Sequence, residues 1–310
     1  MEPLDDTYIY LKIPMSYQDK VPIFSERNEY VRNYERLARD HMEAQRRTGQ
    51  NPWIEECLWL EMETSTADLI RKYAAPSQRI LDVGVGLGRL LEGFSNLDRY
   101  GVDISFDYLR VAQEKGIRVC YALIEDMPYV EKFFDIVVCT DVLEHVLDLN
   151  LACCKILSVL KDDGTLIVRV PYREELKPYL DESLAYEYAH FRNFDEHSLR
   201  LLFEKIFGCR VVETVFTGYS AAGLRLRYKL PGPLRGSVKS MPRVASTVIR
   251  PIKKALKGIN SCLPQGIRKI LCYPTEIIVV VKKREKTRNR NEFTQSEIFT
   301  VTSNHGETMK

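Results

Sequence analysis

Apolar and polar positions change rhythm along the chain, and that rhythm predicts its elements. Nearly continuous apolar runs occupy 79–83, 100–103, 118–123, 134–139 and 165–170, with two more at 209–216 and 276–282. Runs of this length, rich in Val and Ile, read as strands buried on both faces. Between them, 106–115 and 149–160 carry apolar residues at helical spacing, and another helix begins near Gly88. The stretch 195–207 predicts a helix with Asp195 as N-cap and Gly208 as its stop. Alternation of this kind implies an α/β fold built on a doubly wound, mostly parallel sheet of seven strands.

Two segments fall outside the alternation. Residues 1–75 are mostly helical in character, with helical spacing over 26–47 and 52–73. Between the sixth and seventh strands lies an insertion far longer than ordinary loops. The expected organisation is therefore an N-terminal helical extension (1–75), a core (76–223), an insertion (224–274), a final strand (275–284) and a polar, aperiodic tail (285–310) expected to be disordered.

Charge sharpens the view of the insertion. The whole chain of 310 residues carries a net +2. Residues 1–223 hold 26 Lys and Arg against 38 Asp and Glu, whereas 224–290 hold 18 against 2. Within 243–259, apolar residues at Val244, Val248, Ile252, Ala255, Leu256 and Ile259 alternate with a basic face. Such a helix suits an anionic membrane surface, with contacts expected through 243–272. It also suits a cap on the acidic core, or RNA phosphates. Tyr228 and Tyr273 are the only aromatics there, so a base-stacking platform is thin. Nucleic acid is accordingly the lesser expectation.

Composition excludes other classes. The eight cysteines form no C-x-x-C pair and mostly occupy apolar positions, which reads as reduced core thiols rather than a zinc site. The N-terminus is acidic and polar, and no apolar run would span a bilayer. A cytoplasmic protein is expected, with membrane association through the insertion as an added option.

The candidate chemistry begins at Ile80-Leu81-Asp82-Val83-Gly84-Val85-Gly86-Leu87-Gly88. An apolar strand enters a glycine turn and then a helix, which presents free N–H groups and a positive dipole end to a ligand. The next strand ends in Asp103, placed to accept from two ribose hydroxyls. The spacing G-x-G-x-G, with Asp82 ahead, resembles motif I of class I S-adenosylmethionine (SAM) dependent methyltransferases rather than the dinucleotide G-x-G-x-x-G. Thr140-Asp141-Val142-Leu143-Glu144-His145-Val146 resembles the "vLEHv" segment of the type 11 methyltransferases, which include quinone, sugar and small-metabolite enzymes. The resemblance covers roughly 78–215.

The resemblance implies a Rossmann-like sheet whose seventh strand runs antiparallel to the sixth, N-terminal helices that either lid the site or pack on the sheet edge, and SAM as cofactor. The cofactor residues it implies are Asp82, Gly84, Gly86, Gly88, Asp103, Ile104 and Thr140, with 122–129 bordering adenine. Leu123 stands where the family often has an acid, leaving the backbone of Ile124 and the carboxylates of Glu125 or Asp126 for that contact. His145 is the candidate general base, with Glu144 orienting it or holding substrate, and His190 in a second polar segment over the acceptor. A structural role in tying down the loop is the competing reading for His145. Asp141, Glu144 and His145 have metal-ligand chemistry, yet no resident metal is expected because the segment recurs in metal-free relatives.

The function expected is methyl transfer from SAM to a small or lipid-linked acceptor, with O-methylation favoured. An RNA methyltransferase using the basic insertion and a catalytically silent SAM-fold binding protein are the alternatives. The acceptor and the oligomeric state are not encoded in any motif.

Overall fold

The computed structural model describes residues 9–181, 184–220 and 264–284. The basic helix expected at 243–259 and the tail from 285 onward lie outside the described residues.

One sheet organises the chain. Its strands are β1 (Ser16–Gln18), β2 (Val21–Ile23), β3 (Arg79–Val83), β4 (Asp98–Asp103), β5 (Arg118–Tyr121), β6 (Phe134–Thr140), β7 (Leu160–Pro171), β8 (Arg210–Tyr219) and β9 (Pro274–Lys282). Their order across the sheet is β1-β2-β5-β4-β3-β6-β7-β9-β8. The seven predicted strands are all present. β2, β5, β4, β3, β6 and β7 run parallel to one another, and β9 lies antiparallel between β7 and β8.

The sheet has nine strands rather than seven because the N-terminal segment is not helical throughout. β1 and β2 form a hairpin whose two-residue turn, Asp19–Lys20, has positive φ at both positions (48° and 66°). That is a type I′ turn, usually marked by Asn-Gly or Asp-Gly, and here it lacks a glycine. β2 then docks on β5, with the Phe24 N–H donating to the Tyr121 carbonyl at 2.9 Å. The hairpin therefore covers what would be the open edge of β5.

Alternate strand residues feed two cores, one on each face. Leu81, Val83, Val137, Cys139, Leu166 and Val168 join one cluster; Ile80, Ile136, Val138 and Ile167 join the other. The first face is covered by α5 (Leu149–Val159) and α6 (Glu196–Arg200), which continues as a π-helical turn over Leu201–Ile206. The second is covered by α1 (Glu29–Thr48), α2 (Glu56–Tyr73), α3 (Arg89–Glu92) and α4 (Phe106–Glu114). Asp195 caps α6 as expected, accepting from the Ser198 N–H at 2.9 Å, and Gly208 adopts a left-handed φ of 66°. The helix after the glycine turn is a single turn, ended by Gly93.

β9 is the most deeply buried strand, with Ile277 to Val281 fully inaccessible. Just before it, α7 (Gln265–Leu271) returns the insertion to the core. Its Arg268 guanidinium lies 2.8 Å from a Glu61 carboxylate oxygen and donates to the Tyr219 carbonyl at 2.8 Å.

Candidate active site

At the carboxyl ends of β3, β4 and β6 lies a cleft of about 840 Å³ including its open mouth. This is where parallel α/β sheets place ligands, because loops diverge there to either side. Gly84 and Gly86 form one wall, Asp103, Ile104 and Tyr108 the next, and Ile124 with Glu125 a third. Tyr30 and Tyr34 of α1 close the side toward His145.

The three turn glycines have different duties. All adopt positive φ, at 75°, 49° and 67° for Gly84, Gly86 and Gly88. A Cβ on Gly84 would sit 2.3 Å from Val142 Cγ2, and one on Gly88 would sit 2.7 Å from Ile117 Cδ1. Those two are packing glycines. Gly86 is different: beyond the turn's own Gly84 carbonyl at 4.0 Å, a Cβ there meets no protein atom. It borders the cleft, so its bare Cα leaves room for a ligand against the backbone.

Asp103 is anchored by that same backbone. The Gly86 N–H donates to Oδ2 at 2.9 Å, and the Ser105 N–H to Oδ1 at 2.8 Å. Burial pushes its pKa up while these N–H donors pull it back down. Each oxygen keeps a lone pair beyond the bond it already accepts. The carboxylate is thus preorganised rather than floppy.

Asp82, Gly88 and Thr140 do not line the cleft. Asp82 lies within β3 on the face of Ile80, short of the strand's end. It is 2 % exposed, its Oδ1 has no hydrogen-bond partner, and desolvation drives its pKa well above the usual carboxylate range. Its electrostatic partner is Arg169, a residue the sequence reading passed over as part of a strand. Arg169 is 3 % exposed and forks onto Asp141, with Nε 3.1 Å from Oδ1 and Nη2 2.6 Å from Oδ2, and donates to Thr66 Oγ1 at 3.1 Å. The fork fixes Asp141 in a left-handed conformation (φ 56°), which seats Val142 against Gly84.

His145 lines the cleft; Glu144 and His190 stand behind it. The segment around His190 is brought there by backbone and side-chain bonds. The Phe191 N–H donates to the Glu144 carbonyl at 2.9 Å, and Arg192 donates to the carbonyls of Val146 and Leu147. The two imidazoles then meet edge to face, 4.5 Å between centroids. Burial and the neighbouring His190 lower the His145 pKa to about 4, which makes it a weaker base than an ordinary histidine. Glu144 is fully buried, and desolvation first, then Asp141, drives its pKa well above normal. Among the described residues, Glu144, His145 and His190 bring potential ligand atoms within 4.8 Å of one another.

α1 holds this arrangement from above. Tyr34 Oη lies 2.9 Å from His145 Nδ1, and Tyr30 Oη donates to the His145 carbonyl at 3.3 Å. Asn33 donates to the Tyr188 carbonyl at 2.7 Å and accepts from the Glu187 N–H at 3.0 Å. Sequence reasoning missed Tyr30 and Tyr34, whose spacing of four matches any packed helical pair.

Part of the chain resembles known proteins. Residues 81–168 match the family described as "Methyltransferase domain". Over that span the chain is similar to class I SAM-dependent methyltransferases of type 11. The matched span runs from within β3 into β7, and so includes Asp103 and the Thr140–Val146 segment. Over its part of the chain, the uncharacterized methyltransferase YcgJ of Bacillus subtilis is 34% identical across 113 residues, covering 34% of this chain and 44% of that protein. The ubiquinone/menaquinone biosynthesis C-methyltransferase UbiE of Vibrio campbellii is 32% identical across 121 residues, covering 35% and 45%. The chain thus spans somewhat under half the length of the curated relatives it matches. In fold, it is similar to a chain of the complex containing the Haloferax volcanii Trm112 methyltransferase activator, with a TM-score of 0.51 at 16% identity, covering 84% of this chain and 100% of that one. Among the described residues, no helix is long and apolar enough to cross a membrane.

Proposed function

We propose that the chain transfers a methyl group from SAM to a small, largely apolar acceptor, with a hydroxyl oxygen as the methylated atom. The observation that carries this reading is the pairing of two walls in one cleft. On one, Gly86 leaves the backbone bare and Asp103 presents a fixed carboxylate. On the other, His145, Tyr30 and Tyr34 stand where an acceptor would approach. Asp103 would hold the ribose hydroxyls, Ile104 and Ile124 would sandwich the adenine, and Glu125 would reach its edge. The tyrosine faces suit a sulfonium, which aromatic quadrupoles attract.

The acceptor's character is inferred from the sequence neighbours of the His145–His190 group. Leu147 (55 % exposed) follows the His145 turn, Phe191 (40 %) adjoins His190, and Leu180 (82 %) adjoins the Tyr179 ring that packs on His190. Exposed apolar side chains next to that group favour an apolar ligand. Chemistry at this cleft is mainly positioning: the sulfonium already carries a reactive methyl, and the walls align the nucleophile and exclude water. An oxygen acceptor suits the polar His145, Glu144 and His190 group, which can orient a hydroxyl. Relatives bear names for both C- and O-methylation.

Calorimetric titration of the full chain with SAM tests the reading. Saturable binding that weakens at least tenfold in Asp103→Ala is expected. A wild-type chain that takes up no SAM at millimolar concentration sinks it. Incubation with labelled SAM and hydroxylated or non-hydroxylated aromatic acceptors then tests the oxygen assignment, which fails if label enters only the latter.

A further inference from the structure

We propose that the outward face of α7, where the strongly basic segment rejoins the sheet, is a docking surface for an anionic lipid bilayer. The proposal concerns where the chain sits, and it stands apart from the methyl-transfer reading. Its first support is composition. Residues 224–275 hold 12 lysines and arginines and no aspartate or glutamate, in a chain whose net charge is only +2. Cations with no acids among them attract an anionic surface, each adding to the pull within a Debye length. Their complement is a surface of dense negative charge.

The roll of α7 about its axis is fixed. Arg268 is buried, its guanidinium 2.8 Å from a Glu61 carboxylate oxygen and donating to the Tyr219 carbonyl at 2.8 Å. At about 100° per residue, Gly266, Ile267, Lys269 and Ile270 share the side opposite Arg268. Ile267 is 43 % exposed and Ile270 62 %, and Lys269 is exposed beside them. A Cβ on Gly266 would meet nothing within 4 Å, so no described residue covers that side. Tyr273, also exposed, follows the helix. Isoleucines gain little from nucleic-acid phosphates but gain when buried among acyl chains, and a tyrosine suits the boundary between lipid and water. Apolar side chains framed by cations therefore favour a bilayer over RNA.

Sheet topology sets this surface at the same end of the molecule as the cleft. β9 runs antiparallel to β7 with Glu276 opposite Pro171, and Tyr219 at the end of β8 pairs with Pro274. α7 thus leads into β9 at the carboxyl end of the parallel strands, the end at which the cleft opens. β8 stands three strands from β6, about 14 Å at the usual spacing between strands. A bilayer held by α7 would meet the cleft end of the sheet rather than its opposite end.

The test is sedimentation of the full-length protein with liposomes of phosphatidylcholine and phosphatidylglycerol, against phosphatidylcholine alone. Binding to the anionic liposomes only is expected, weakened at least tenfold between about 50 and 500 mM NaCl. Ile267→Ser combined with Ile270→Ser should weaken it at least tenfold with no change in Tm, because both side chains are already exposed. Lys269→Glu should weaken it at least threefold. Failure to pellet with anionic liposomes at low salt, equal pelleting with neutral ones, or unchanged affinity in the double isoleucine variant overturns the surface. So does a single-stranded RNA that binds more tightly than the liposomes and is indifferent to both isoleucines.

Discussion

His41 Nδ1 lies 2.7 Å from Tyr108 Oη, joining α1 to the helix that follows Asp103. Asn51 Nδ2 sits 3.3 Å from the other ring nitrogen, so Nε2 accepts and Nδ1 carries the proton toward Tyr108. His41 is therefore a neutral imidazole. Burial, then Arg89, lowers its pKa from the ordinary 6.5. Above pH 6.5 both the folded and unfolded chains hold this histidine uncharged, and it makes no pH-dependent contribution. As pH falls below that value the unfolded state protonates first, so stability declines until the folded-state pKa is passed. Thermal unfolding from pH 8 to 5 should show a steeper acid loss in wild type than in His41→Gln. Parallel curves would show that His41 is not the titrating group.

Gly84→Ala and Gly86→Ala should separate folding from binding. Alanine at 84 meets Val142 at 2.3 Å and must displace the β6 loop, so a large fall in Tm is expected. Alanine at 86 meets no protein side chain, and its left-handed backbone costs about 1–2 kcal/mol. It should keep most of its Tm yet lose SAM affinity at least tenfold by calorimetry. Wild-type SAM affinity in Gly86→Ala would remove that glycine from the cofactor contact.

Arg169→Met should be among the most damaging single changes. It leaves Asp141 without its fork and Asp82 without the nearby positive charge. Breaking a buried pair from one side costs about 3–5 kcal/mol. Urea unfolding at neutral pH measures this, and a loss under 1 kcal/mol would show that water reaches the network.

Asp195→Ala should cost about 1 kcal/mol, the usual worth of an N-cap. The Ser198 N–H holds the Asp195 carboxyl below its ordinary 3.8. A depressed carboxyl stabilises above its unfolded value and ceases to do so once the folded group protonates. The mutant and wild type should thus converge in stability as pH falls below 3.8. A gap that persists at pH 2 would assign the effect to something other than the charge.

The parts of this fold that are legible in the sequence are those with local, repeated signals. Seven apolar runs mark seven strands, and glycine spacing with Asp103 marks one side of the cleft, because buried parallel strands and left-handed turns restrict composition. The hairpin at 16–23 escapes because its first strand is fully exposed and its turn lacks glycine. Arg169 escapes because its neighbours are those of any core strand, and its role depends on Asp141 twenty-eight positions away. His190 could be noted but not placed. The bonds from Phe191 and Arg192 to 144–147, with that between His145 and the Ala189 carbonyl, bring it beside His145.

The placement of β9 sets an order of events during synthesis. β7 and β8 flank a strand that emerges only after the 54 residues separating Tyr219 from Pro274. At 5–20 residues per second the ribosome needs about 3–11 s to cover that distance. Throughout that interval the cofactor strands can pair, while β7 and β8 face each other across a missing partner with their edges open. A message cut short before codon 274 would therefore leave β7 with an open edge and β8 with no strand to pair with, an adhesive product and a substrate for chaperones and proteases.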